Sequence, residues 1–294
     1  MIVLLWLLIP IGLVLATGLT ASFILTSRRT RSADHNPGEY GLVFEDVTFK
    51  ATDGLQLKGC WVPADDTAIS GQGHPPGRAV IILHGHGGSL DWDVHRVPSL
   101  HAAGFNVFLF DFRAHGRSRG DLATFGYLER YDVLGAVEFL KNRGARSIGL
   151  LGFSYGAIAS MLTAPICPDV HAVISDGGPA RLQTALTARG IEMHLPHWMA
   201  GALAWLTVVI TSARLGVNLF HYEAVRWVGK IAPRPIFFIH GEMDQYLPDF
   251  DELYASASEP KDAWRLPGVG HTKVSEIYPE EFRSRVIDFF DLNL

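Results

Sequence analysis

Apolar positions fall into two regimes along this chain. From Ile2 to Leu25 they run without one charged residue, and Trp6 sits among Leu, Ile and Val. About 24 such residues at 1.5 Å rise make a helix of roughly 36 Å, enough to cross a bilayer with some tilt. A polar, turn-rich stretch follows from Ser32 to Gly41, and beyond it short β-rich runs alternate with helical patterns. Val47–Lys50 and Leu55–Val62 flank the turn dipeptide Asp53-Gly54 and predict a hairpin. Ala79–Leu83, Asn106–Phe110, Ser147–Leu151, Ala172–Ser175, Ile236–Ile239 and Ala263–Leu266 complete about eight strands, several of them the continuous apolar runs of a sheet buried on both faces. Helical spacing recurs over Tyr131–Leu140, and Pro279–Phe290 begins with Pro and two acids, as helices do. This alternation predicts an α/β fold with a mostly parallel sheet covered by helices.

The first apolar run reads as an uncleaved transmembrane anchor over residues 1–27. A cleavable leader would carry a basic start, a shorter apolar core and a small-x-small cleavage site. Nothing basic precedes this run, and Ala16 to Ser22 offers only a loose cleavage candidate. Arg28, Arg29 and Arg31 follow it at once, which places the body on the cytoplasmic side of a single-pass membrane protein, with export as the alternative. Gly12 and Ala16 form a small-xxx-small pair suited to helix packing. Residues 28–41 read as a linker and 42–294 as one body.

Composition narrows the function. Among 294 residues, 25 basic and 30 acidic side chains give a formal net charge of -5, so the chain lacks the basic surplus of a nucleic-acid binder. A hydrophobic share of 48% excludes a disordered chain. Two cysteines, Cys60 and Cys167, permit at most one disulfide and have no metal-type spacing.

Gly152-Phe153-Ser154-Tyr155-Gly156 lies between the strand ending at Leu151 and the helical stretch Ala157–Leu162. A serine on such a turn has a strained backbone that flanking glycines permit, and its hydroxyl stands exposed at a helix N-terminus. It needs a base held by a third group. Among 13 histidines, His271 follows the last predicted strand in a Gly-rich loop, and Asp244 follows the strand Ile236–Ile239, hence on the same edge. The order Ser154, Asp244, His271 fits one known triad order. Asp176, Glu242, Asp249 and His240 are rivals for the partner roles. His84-Gly85-His86-Gly87-Gly88 also follows a strand, and the backbone N–H groups of His86 and Tyr155 would form an oxyanion hole, with His84 structural. A metal site over His84, His86, Asp91, Asp93 and His95 has the wrong spacing.

These segments, with Asp111–Ser118 and the Ile231–Pro235 approach to the acid strand, resemble the α/β-hydrolase superfamily, in particular bacterial serine hydrolases of the S33 aminopeptidase-like and dienelactone-hydrolase-like groups. The likeness covers roughly residues 42 to 294. It implies the α/β-hydrolase fold, a serine mechanism without cofactor, and a structural role for Asp111–Ser118. His86 stands where many members carry a smaller or apolar residue. The expected activity is cleavage of esters or thioesters of a small-molecule or lipid acyl substrate; peptide or amide cleavage and a catalytically silent scaffold are the alternatives.

Leu195 to Ala213 is a second stretch free of Asp, Glu, Lys and Arg. As a span it would leave Ser154 and Asp244 on opposite sides of a bilayer, so the triad makes it part of a helical cap over about 179–230, with an apolar face toward membrane or acyl pocket.

Overall fold

The computed structural model describes residues 2–30, 34–65 and 76–294, with side chains from Gly12 onward. Arg31 and the side chain of Trp6 lie outside the described residues. Eight strands form one sheet in the order β1-β2-β4-β3-β5-β6-β7-β8. They are β1 (Glu45–Lys50), β2 (Gln56–Val62), β3 (Arg78–Leu83), β4 (Asn106–Phe110), β5 (Ser147–Phe153), β6 (Val170–Asp176), β7 (Ile236–Gly241) and β8 (Lys261–Leu266). β2 is antiparallel to β1 and β4, and the other pairs are parallel. Each predicted strand is present, within a few residues of its expected ends.

The helices are α1 (Ile2–Thr26), α2 (Val97–Ala102), α3 (Glu129–Asn142), α4 (Tyr155–Thr163), α5 (Leu182–Glu192), α6 (His197–Leu215), α7 (Ala224–Trp227), α8 (Phe250–Ser256), α9 (Val274–Ile277) and α10 (Pro279–Asn293). Alternate strand residues feed two cores. Ala79, Ile81 and Leu83 face α3, α4 and α8 through Val137, Met161 and Leu253. Val80 and Ile82 face α2 and α10 through Leu100, Val286 and Phe290. Every residue of β3 is buried, which accounts for its unbroken apolar run. Each such side chain contributes about 1.5–3 kcal/mol on burial. The carboxyl ends of β3, β5, β6 and β7 thereby converge on one edge.

The insertion between β6 and β7 builds a cap in which α6 packs between α5 and α1. Gly190 approaches Ala200 so closely that an added Cβ would lie 2.9 Å from the Ala200 Cβ. α1 does not stand apart from the body. Its buried residues Gly18, Ser22 and Thr26 recur every four positions and face α6. A Cβ on Gly18 would lie 2.9 Å from Ile210, and Ser22 Oγ is hydrogen-bonded to Thr211 Oγ1 at 2.8 Å and accepts from Arg214 Nη1 at 2.6 Å. This is small-residue packing of the expected kind, displaced from Gly12, which has nothing within 4 Å of its virtual Cβ. Beyond the helix, Arg29 N–H donates to the Ala114 carbonyl at 2.7 Å, and the Arg28 guanidinium caps the carbonyls of Ser118 and Gly120. The start of the expected linker is thus docked on the loop after β4. Among the described residues, only His197–Leu215 is long and apolar enough to cross a membrane; Gly12–Thr26 is a shorter apolar helix.

Candidate active site

Ser154 sits between β5 and α4 with φ 51° and ψ -105°, a left-handed backbone that a non-glycine residue adopts only under constraint. The constraint is visible. A Cβ on Gly156 would lie 2.1 Å from the Leu83 carbonyl oxygen, and one on Gly152 would lie 2.6 Å from Ala157 N. The Ser154 N–H donates to the Asp176 carbonyl at 2.8 Å, which fixes the turn to the neighbouring strand.

The structure brings the three expected side chains together. His271 Nε2 is 2.9 Å from Ser154 Oγ, and His271 Nδ1 is 2.6 Å from Asp244 Oδ2. Asp244 Oδ1 accepts the Tyr246 N–H at 3.0 Å, so both carboxylate oxygens are engaged. Its side chain is 1% exposed, against 26% for that of His271. The loops carrying acid and base are stitched together, since the N–H groups of Glu242 and Met243 donate to the carbonyls of Leu266 and Val269. Gly241 permits that approach, because a Cβ there would lie 2.4 Å from the Val269 oxygen.

The rival partners go elsewhere. Asp249 Oδ2 binds Arg181 and Thr184, Glu242 is exposed, and the His240 ring stacks on Phe250 at 3.9 Å. Asp176 ends β6 beside the site, but its Oδ2 is buried without a hydrogen-bond partner, and burial pushes its pKa up to about 7.

Across from the base lies the loop His84–Gly88. A Cβ on Gly85 would lie 3.8 Å from the Ser154 Cβ, so this backbone borders the nucleophile. Among the described residues, the N–H groups of His86 and Tyr155 have no backbone acceptor outside helix and sheet bonding. His84 is structural: its Nδ1–H donates to the Gly85 carbonyl at 2.8 Å and its Nε2 accepts the Phe112 N–H at 3.1 Å. Burial pushes its pKa down to about 3 and that of His86 to about 4. Asp111 braces the same region, its carboxylate accepting the N–H groups of Leu90 and Arg117, each at 2.8 Å. His95 bonds the Trp92 carbonyl and Asp93 pairs with Arg96.

Two features have no counterpart in the sequence reading. The His86 imidazole lies beside the Leu25 backbone in the last turn of α1 and packs on the rings of Phe125 and Tyr155, and its Nε2 is buried without a hydrogen-bond partner. Tyr246 presses its ring on His271, with centroids 4.9 Å apart, while its hydroxyl and the Gln245 amide bind Glu192 at the end of α5. The cap is thus tied to the residue next to the base. Its signal was the placement of a Gln-Tyr pair right after Asp244.

A family model, that of the alpha/beta hydrolase family, matches residues 80–285. Among curated proteins, YfhR of Salmonella typhi is 27% identical over 260 residues, covering 85% of this chain and 82% of its own. YqkD of Bacillus subtilis is 27% identical over 245 residues, with 81% and 76% covered. Both are uncharacterized. Among solved structures, the Pyrococcus furiosus esterase Pf2001 superposes with a TM-score of 0.74 at 24% identity, covering 92% of this chain and 98% of its own. The esterase EaEST of Exiguobacterium antarcticum gives 0.60 at 16% identity, with 84% and 99% covered. At those identities the structural likeness is one of fold.

Proposed function

The chain belongs to the alpha/beta hydrolase family, and on that footing we propose that it is a membrane-anchored serine hydrolase cleaving carboxylic esters or thioesters through an acyl-enzyme. The observation that carries this reading is the unbroken relay from Ser154 Oγ to His271 Nε2, at 2.9 Å, and from His271 Nδ1 to Asp244 Oδ2, at 2.6 Å. Ser154 Oγ gives its proton to His271 Nε2 and bonds the substrate carbonyl carbon. The carbonyl electron pair moves to oxygen, which the His86 and Tyr155 N–H groups meet. Collapse of the adduct breaks the bond to the alcohol or thiol, which leaves with the proton from His271. Water then enters by the same base, releases the acid and restores Ser154. Asp244 holds the tautomer and stabilises the imidazolium. No step calls on a cofactor.

The likeness to Pf2001 and EaEST, both esterases, supports esters over amides within this mechanism. α1 supplies the membrane attachment, and Arg28 and Arg29 at its end favour a cytoplasmic body. A fluorophosphonate probe tests the chemistry: wild type takes the label at Ser154 and Ser154→Ala does not, whereas an unlabelled wild type overturns the reading. Flotation of the full chain with lipid vesicles tests the attachment.

A further inference from the structure

α1 and the cap helix α6 run side by side in the same direction. Gly18 faces Leu206 and Ile210, Ser22 faces Thr211 and Arg214, and Thr26 Oγ1 meets Arg214. Inside this seam the hydroxyls are satisfied without water. Thr26 donates to the carbonyl of Ser22, and Thr207 and Thr211 to those of Leu203 and Thr207. Such internal satisfaction is what a helix pair needs where no water reaches it.

The outer faces are apolar and uncovered. On α1, Leu13 is 64% and Phe23 55% exposed; on α6, Trp198 is 72% and Trp205 51% exposed. Charge collects at one end of the pair, where Arg28 and Arg29 follow α1 and Arg214 closes α6, its guanidinium 3.6 Å from the Phe23 ring centroid. Cations at one end of an otherwise uncharged pair match a lipid–water boundary. The pair also brackets the triad. Glu192, at the turn into α6, holds Tyr246 against His271, and Leu25, beside the far end of α6, lies next to His86.

We infer that α1 and α6 enter the bilayer as one unit, so that the lid is immersed in lipid and the acyl substrate reaches Ser154 from the membrane. This rests on the serine-hydrolase reading and on α1 as the membrane attachment, and it adds the second helix and the source of the substrate. α6 is not a crossing, because the chain before it carries Ser154 and the chain after it carries His271, which are hydrogen-bonded to each other.

The test uses the full chain in vesicles of phosphatidylethanolamine and phosphatidylglycerol. Nitroxide probes go on Leu19→Cys, Trp198→Cys and Trp205→Cys, with Trp92→Cys on the body as the aqueous reference; native Cys60 and Cys167 are buried and stay in place. Fluorophosphonate labelling of each variant reports an intact site. The expected result is that probes at 19, 198 and 205 collide with dioxygen and lose collisions with an aqueous nickel chelate, the reverse of position 92. If 198 and 205 behave like 92 while 19 is in lipid, the inference falls and the attachment stands. If 19 is also aqueous, the attachment fails too. If 198 and 205 are immobilised and shielded from both reagents, a protein covers this face and the inference is again overturned.

Discussion

The imidazole of His86 lies beside the backbone carbonyl of Leu25, so the last turn of α1 borders a residue whose loop runs next to Ser154. Burial keeps that ring neutral, with its pKa down to about 4, and its Nε2 has no hydrogen-bond partner. His86→Ala removes the ring and leaves the backbone N–H. The ring packs on Phe125 and Tyr155, at centroid distances of 4.9 and 5.5 Å, and so positions this loop, and kcat is expected to fall about twofold to tenfold with little change in KM. Steady-state hydrolysis of a nitrophenyl ester by the full chain checks this, and an unchanged kcat would show that the His86 ring does not position the loop.

Two buried carboxyls lie near the base, and only one is bonded to it. Asp244→Asn is expected to lower kcat by about 10³–10⁴, since the amide favours the wrong tautomer. Asp176→Asn is expected to stay within a few-fold of wild type. Measuring both on the same ester assigns the acid, and the opposite ranking would move the role to Asp176.

Asp176 also predicts a pH dependence of stability. Its folded pKa of about 7 exceeds the unfolded value of 3.8, so its proton stabilises the fold below about pH 4, and that contribution is lost as pH rises through 7. Asp176→Asn carries no such proton. Its stability relative to wild type should grow between about pH 4 and pH 7 and stay level above, with a gain of about 4 kcal/mol. Thermal melts of both proteins across that range check the slope.

Close packing at the turn sets a steric prediction. A Cβ at Gly156 would meet the Leu83 carbonyl oxygen at 2.1 Å, a backbone atom in the central sheet that cannot step aside. Gly156→Ala is expected to cost several kcal/mol, as overpacking does at its severe end. The expected outcome is a large drop in melting temperature together with loss of fluorophosphonate labelling. A stable, labelled variant would show that the turn tolerates a wider spacing.

The sheet and the triad were readable along the chain because each rests on a local pattern. The run Ala79–Leu83 is apolar because both its faces are covered, and Gly152 and Gly156 flank Ser154 because backbone passes where their Cβ atoms would be. The α1–α6 seam was not readable in the same way. α1 is apolar on all sides, so no stripe marks which face packs, and Gly18 and Ser22 look no different from Gly12 and Ala16 until α6 is seen beside them. Glu192 was equally hidden, since it acts through loop residues more than fifty positions away.

Direct capture of the intermediate tests the central claim. The full chain is mixed with a nitrophenyl ester, quenched in acid during turnover and digested, and the peptide containing Ser154 is weighed by mass spectrometry. The account predicts that peptide carrying the acyl group, with none on the Ser154→Ala protein, which releases no nitrophenol above background. Hydrolysis by wild type with no acyl group on Ser154, or undiminished hydrolysis by Ser154→Ala, would contradict it.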